Sequence, residues 1–279
     1  MKITKAVVPA AGFGTRFLPW TKSIPKEMLP LLSKPAIQVI AEEIRDSNLA
    51  DCIIINAPYK QALVDYFKKS PDLERFLQEK NKASLLSELD ALLQKVSFSY
   101  IYQDQAKGLG HAILLAESAI NNEYFGIALP DDIMISNPPG LAQLIAVAQK
   151  YNASVIAVQE VPQEAISAYG VVAVSKQLDE HTFEITDMVE KPKPEDAPSN
   201  LAISGRYVLS PAIFDALKEV KPSLGGEILL TDGMLALLKE GERTLAYKIQ
   251  GTRHDIGNPT GWLKANMHLA HLNGIKLYL

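Results

Sequence analysis

Short apolar runs rich in valine and isoleucine alternate along this chain with longer amphipathic segments, and that alternation leaves few folds open other than an α/β sheet. The runs at 6–9, 52–56, 97–102, 124–129, 154–161, 170–174, 183–189, 201–209 and 244–249 predict strands. Helical periodicity is clearest over 36–47, 60–68, 84–94, 110–119, 141–151, 211–217, 229–238 and 260–272. In the last of these, Leu263, Met267 and His271 lie along one face. Beyond about residue 153 the strands crowd together with little helix between them, which predicts antiparallel pairs closing one end of the sheet. Prolines at 192, 194 and 198 among charged residues make 190–199 a loop. No linker or repeat divides the 279 residues, so the expectation is a single domain, 1–279.

Composition narrows the partners. The formal net charge is −4, so there is no basic excess to neutralise a nucleic-acid backbone. No apolar stretch approaches the roughly 20 residues of a membrane helix. Cys52, the single cysteine, cannot form an internal disulfide and reads as a small buried apolar residue. The first ten residues are too short an apolar run for a secretion signal. Together these predict a cytoplasmic protein without nucleic-acid or membrane partners.

An anionic ligand would then need a local positive site, and the opening of the chain supplies one. The first predicted strand runs into Pro9-Ala10-Ala11-Gly12-Phe13-Gly14-Thr15-Arg16. Small residues at 10, 11, 12 and 14 let the backbone approach a ligand and aim N–H groups at phosphate oxygens. By itself a tight turn after any strand can hold two glycines. Phe17 stands where a dinucleotide fingerprint needs its third glycine, and no Gly-Lys-Ser/Thr succeeds the turn as in a Walker loop. A cationic segment comes next instead, with Arg16, Lys22 and Lys26 within eleven residues, and prolines at 25 and 30 hold the loop of 21–30 by locking its backbone. Cations fixed rigidly beside a glycine-rich turn describe a polyphosphate site.

The stretch from Gly12 to Arg16, with Pro25-Lys26-Glu27-Met28-Leu29-Pro30 and Lys34-Pro35, resembles the signature of the sugar nucleotidyltransferases. Glu27-Met28 and Ile37-Gln38 are similar to one branch, the bacterial UTP–glucose-1-phosphate uridylyltransferases. The resemblance covers nearly the whole chain. It implies a Rossmann-like mixed central sheet flanked by helices, with residues to about 150 mainly nucleotide-binding and 151–279 mainly sugar-phosphate-binding in an antiparallel portion. It also implies Mg2+ as cofactor, UTP and glucose 1-phosphate as substrates, and a homo-oligomer, dimer or tetramer. Arg16 and Lys26 would hold the triphosphate and stabilise departing pyrophosphate. Ala10, Ala11, Gly12, Gly14 and Thr15 would line the nucleotide, and Gln103 and Gly108 would read the uracil edge, as a side-chain amide can.

Leu129-Pro130-Asp131-Asp132 closes a predicted strand, where open α/β sheets place ligands. Paired aspartates there can simply cap a turn, but polyphosphate chemistry needs hard oxygen ligands for its cation. The resemblance assigns the metal to Asp131 and to Asp255 of His254-Asp255-Ile256-Gly257. It places Asp132, Gly170, Glu190 and Gly205 around the sugar. Glu190 can accept from two hydroxyls and Lys191 can neutralise the sugar phosphate, which makes Arg16, Lys26 and Lys191 the expected catalytic cations. His111 is not expected to act as a base, because an anionic phosphate needs no proton removed. The chain departs from the family at Trp20, Leu229 and Pro259. A related enzyme for another nucleotide or sugar, and a non-catalytic sugar-nucleotide-binding regulator, remain open beside this reading.

Overall fold

In the computed structural model, residues 1–276 are described. The chain runs through strands β1 (Ile3–Pro9), β2 (Pro30–Leu31), β3 (Lys34–Pro35), β4 (Asp51–Asn56), β5 (Ser97–Tyr102), β6 (Tyr124–Ala128) and β7 (Asp132–Ile135). It continues through β8 (Ser154–Glu160), β9 (Gly170–Gln177), β10 (Thr182–Glu190), β11 (Leu201–Leu209), β12 (Thr244–Lys248) and β13 (Thr252–Asp255). Five helices lie in the first part: α1 (Ala36–Asp46), α2 (Gln61–Tyr66), α3 (Pro71–Glu79), α4 (Ser87–Leu93) and α5 (Leu109–Leu114). The others are α6 (Glu117–Ile120), α7 (Gly140–Tyr151), α8 (Ile213–Glu219), α9 (Leu230–Lys239) and α10 (Pro259–Leu272).

Nine strands pair in the order β5-β4-β1-β6-β11-β8-β12-β10-β9. The first four run parallel, and β11 joins β6 antiparallel. The expected antiparallel end is present. β10 pairs antiparallel with both β9 and β12, and β11 with β8. A further antiparallel contact, Ala202 opposite Val171, joins β9 back to β11, so the last five strands close into a ring.

Both faces of the parallel half are covered. Ala6, Val8, Cys52 and Ile54 face a core shared with α1, α7 and Ala265 of α10. Val7, Ile53 and Ile55 face the other, with α5, α8 and α9. Strict alternation along strands that are apolar on both sides is what a sheet between two helix layers requires. Cys52 lies in the first core, as expected, and its burial pushes the thiol pKa up and keeps it inert.

The expected face of α10 is turned outward. Leu263 and Met267 are exposed, and the helix packs inward through Ala265 and Ala270 with Trp262 Nε1 donating to Pro30 O at 2.9 Å. Pro259 occupies the first turn of α10, capped by Asn258, whose side chain accepts from Gly261 N at 2.9 Å. Among the described residues no helix is long and apolar enough to cross a membrane.

Candidate active site

Parallel strands fix where ligands can go. The Gly-rich turn leaves β1, Gln103 succeeds β5, and Asp131 succeeds β6, so all three meet at the carboxyl edge of the parallel half. The ring closure through Ala202 and Val171 folds the antiparallel strands over that edge. The β9–β10 pairing sets Gly170 at the start of β9 opposite Glu190 at the end of β10. The result is a cleft of about 310 Å³ lined by Arg16, Asp131, Asp132, Gly170, Glu190, Lys191, Gly205 and Asp255, all expected from the sequence. Leu229, one of the departures, also lines it, whereas Trp20 is exposed on the loop beyond the glycine-rich turn.

Asp131 and Asp255 are joined by two short strands that the sequence pattern did not reveal. β7 and β13 pair antiparallel with Asp255 opposite Asp132, and Ile256 N donates to Asp131 O at 2.8 Å. A methyl group built on Gly257 would sit 3.0 Å from Asp255 Oδ1, 3.2 Å from Asp131 Oδ2 and 3.4 Å from Arg16 Nη1. Two carboxylates and a guanidinium thus converge on a space that any side chain at 257 would fill. Asp255 is held there by Gly257 N, which donates to its Oδ1 at 2.9 Å.

Lys26 stands beside this point, its Nζ 2.6 Å from Asp131 Oδ2. Burial opposes the charge on both partners, but their attraction prevails. Asp131 is held below the ordinary carboxylate range and Lys26 above the ordinary lysine range. Lys26 is placed from beneath. Its neighbour Glu27 is buried against Lys60, whose Nζ donates to both Glu27 oxygens at 3.0 and 2.9 Å and to Ala10 O at 2.6 Å. Lys60 was not expected from the sequence. Through one ammonium group it ties the cationic loop to the backbone of the glycine-rich turn. Gly14 turns with φ +66°, a left-handed conformation, with Lys26 Cβ only 3.2 Å from where its own Cβ would be.

In the other wall, Lys191 also adopts a left-handed backbone, φ +47°, unusual for a residue that carries a β-carbon. Its N–H donates to Tyr169 O at 3.0 Å, which aims the side chain into the cleft. Glu190 Oε2 accepts from Thr231 Oγ1 at 3.3 Å, a cleft residue missed in the sequence. Asp132 is more supporting than exposed. Gly205 N donates to its Oδ2 at 2.7 Å and Arg253 Nε to its Oδ1. Arg253, whose guanidinium lies 5.0 Å from the Tyr169 ring centroid, carried no sequence signal. Gly205 and Tyr207 line the cleft, but Arg206 between them turns into the core. It pairs through Nε and Nη2 with Glu43 at 2.8 and 2.7 Å, and its Nη1 donates to Leu129 O at 3.2 Å.

Ala10, Ala11, Gly12, Gly14 and Thr15 fall outside the lining of this cleft, in the adjoining turn after β1. Gln103 and Gly108 lie across β4 from them, with Gln103 Nε2 donating to Gly108 O at 3.3 Å.

A sequence profile described as nucleotidyl transferase matches residues 5–271. The UTP–glucose-1-phosphate uridylyltransferase YngB of Bacillus subtilis (strain 168) is 44% identical over 268 residues, covering 96% of this chain and 90% of the relative. A crystal structure of UDP-glucose pyrophosphorylase complexed with UDP-glucose superposes with a TM-score of 0.89 at 44% identity, covering 97% of this chain and 100% of that one. A UTP-bound UGPase from Acinetobacter baumannii superposes with a TM-score of 0.89 at 36% identity, covering 96% of this chain and 94% of that chain.

Proposed function

The chain belongs to the nucleotidyl transferase family, and on that premise we propose that it transfers the uridylyl group of UTP to α-D-glucose 1-phosphate, giving UDP-glucose and pyrophosphate. The observation that carries this reading is the convergence of Asp131, Asp255 and Arg16 beside Gly257, in one cleft with Glu190 and Lys191. Cations for two polyanions and carboxylates for a divalent metal are what such a transfer needs in one place.

Lys191 draws in the phosphate of the sugar phosphate while Glu190, steadied by Thr231, accepts from sugar hydroxyls. The phosphate oxygen attacks the α-phosphorus of UTP in line, and the bond to the pyrophosphate oxygen breaks. Arg16 and Lys26 take up the charge on the leaving group. The nucleophile is already an anion, so no side chain removes a proton and none forms a covalent bond. Catalysis is positioning and charge neutralisation. Asp131 and Asp255 would hold Mg2+, which when bound would supply positive charge to offset the negative charge of the reacting phosphates. Among the described residues no three His, Cys, Asp or Glu side chains gather as a metal cage. That suits a cation held by two carboxylates together with substrate phosphates. The same reading takes residues to about 150 as mainly the nucleotide part and the rest as mainly the sugar-phosphate part, in a cytoplasmic homo-oligomer.

The test is pyrophosphate release measured with UTP, dTTP, CTP, ATP and GTP against glucose 1-phosphate and galactose 1-phosphate. Fastest release with UTP and glucose 1-phosphate is expected. Higher turnover with a purine nucleotide or with galactose 1-phosphate would assign a different substrate. Tight UDP-glucose binding with no release from any pair would mark a binding protein.

A further inference from the structure

His111 takes no part in the transfer just described, yet it is not idle packing. It sits in the first turn of α5 with its Nδ1 2.8 Å from Gln103 Nε2. Gln103 is itself buried at the end of β5, its backbone N–H fixed to Asn56 O at 2.8 Å. Its Nε2 also faces Gly108 O at 3.3 Å. A carbonyl oxygen can only accept, so the NH2 of the amide must be the group turned toward Gly108. The atom facing His111 is then the same NH2, and Nδ1 must be the acceptor. That requires a neutral imidazole with its proton on Nε2. Burial, with the charge of Lys107 nearby, keeps the His111 pKa below its ordinary value and favours that form.

The partner on the other side is rigid as well. Gly108 has φ +90°, and a Cβ there would lie 2.8 Å from Ile228 O. Ile228 N donates to Lys107 O at 2.8 Å and Gly110 N to Ile228 O at 2.9 Å, clamping the turn on both sides. Both amide hydrogens of Gln103 are therefore spent on fixed acceptors, and its Oε1 keeps its lone pairs for a ligand.

We infer that His111 is a positioning residue for base selection: it locks the Gln103 amide with its oxygen toward the base, so that the site pairs with the N3–H of uracil and rejects cytosine. Uracil presents a donor at N3, and cytosine presents a lone pair there. A fixed carbonyl oxygen attracts the first and repels the second. With His111 removed, only the longer Gly108 contact would hold the amide, and rotation would offer cytosine a donor. This inference rests on the uridylyl-transfer reading and deepens it.

The experiment compares wild type, His111→Leu and His111→Asn, measuring kcat/KM for UTP and for CTP with glucose 1-phosphate, alongside melting temperatures. Asparagine places its Oδ1 where histidine carries Nδ1, so it keeps the acceptor; leucine keeps the bulk and loses it. The UTP-to-CTP ratio is expected to fall by about tenfold or more in His111→Leu, the worth of one well-placed hydrogen bond, and to stay within about threefold of wild type in His111→Asn. A merely structural histidine would lower both nucleotides together and leave the ratio unmoved. A wild type that discriminates while His111→Leu keeps its ratio overturns this inference alone. A wild type that releases no pyrophosphate from any nucleotide overturns the uridylyl-transfer reading with it.

Discussion

Replacing Lys191 separates its charge from its backbone. The residue does two things that ordinary surface lysines do not: it lines the cleft, and it holds a left-handed backbone at φ +47°. Its contact with Glu190 Oε1, 3.8 Å at an exposed site, contributes little to stability. Lys191→Ala removes a charge-assisted contact to the incoming phosphate, about 1.5–3 kcal/mol, or about 10- to 150-fold in kcat/KM for glucose 1-phosphate. Lys191→Gly removes the same contact but relieves the left-handed strain, about 1 kcal/mol. The N–H bond to Tyr169 O survives in both. The glycine variant should therefore melt about 2–4 °C above the alanine variant while being equally slow. Initial rates at saturating UTP, with thermal melts of the same preparations, give both numbers. A loss below about threefold, under about 0.7 kcal/mol, would make this lysine a solvated surface group and refute the reasoning.

Asp131→Asn keeps an acceptor for Lys26 but loses the charge that holds a hard cation, so activity per folded molecule should fall by orders of magnitude, beyond the loss of melting temperature that follows from leaving the Lys26 charge without its counter-charge; normal turnover per folded molecule would exclude a metal role, and Asp255→Asn should cost less. Lys60→Met leaves Glu27 buried without its partner and should cost about 3–5 kcal/mol at neutral pH. Burial raises the Glu27 pKa above its unfolded value against the attraction of Lys60, and without Lys60 it rises further, so the variant gains more than wild type from protonating Glu27 at low pH, a gain lost as pH rises through the folded pKa. The deficit should therefore shrink on acidification, and a melting deficit that is flat from about pH 8 to 5 would count against the assignment. The double replacement Glu43→Leu with Arg206→Met should leave stability within about 2 kcal/mol of wild type yet slow turnover at least about tenfold, whereas unchanged turnover would show that the buried pair has no part in placing Asp131.

Periodicity accounts for most of what could be read in advance. The nine strands of the large sheet all coincide with apolar runs: central strands such as β4, β6 and β11 are buried along nearly their whole length, and the outer β5, β9 and β10 keep enough β-branched and aromatic residues on their less exposed positions to show. β7 is only four residues long, and β13 escaped notice for the opposite reason. Thr252-Arg253-His254-Asp255 has no apolar alternation, since it is a two-stranded ribbon facing a polar cleft. The helix α3 did carry a signal, Ser70 then Pro71 at the first position with Glu74 Oε1 accepting from Ser70 N. Its solvated, charge-rich sequence offered little apolar periodicity to reinforce that start. Charged residues around the Gly-rich turn and in Glu190-Lys191 were legible because local sequence places them. Lys60, Arg253 and Thr231 were not, because only tertiary pairing brings them to the site.

The residues that were hardest to foresee share one arrangement. Each of three buried or nearly buried ion pairs fastens a loop that carries a site residue. Lys60 with Glu27 holds the Lys26 loop against Ala10 O. Arg206 with Glu43 holds Leu129 O, two residues before Asp131, and Glu43 Oε1 also accepts from Leu141 N at 3.0 Å. Arg253 with Asp132 holds Gly205 N and lies against Tyr169. Apolar residues of equal volume would give the fold as much stability or more, because desolvation offsets most of what a buried pair gains. An apolar contact, however, has no preferred direction, and a loop resting on one can slide by an ångström at small cost. A charged group with several fixed hydrogen-bond partners cannot slide without leaving one of them unpaired, at about 1–3 kcal/mol each. The site must bring two polyanions and a divalent cation to one point, where such a shift separates attraction from repulsion. Directional pairs under each loop answer that demand, and they explain why charges are buried here in a chain whose core could have been wholly apolar.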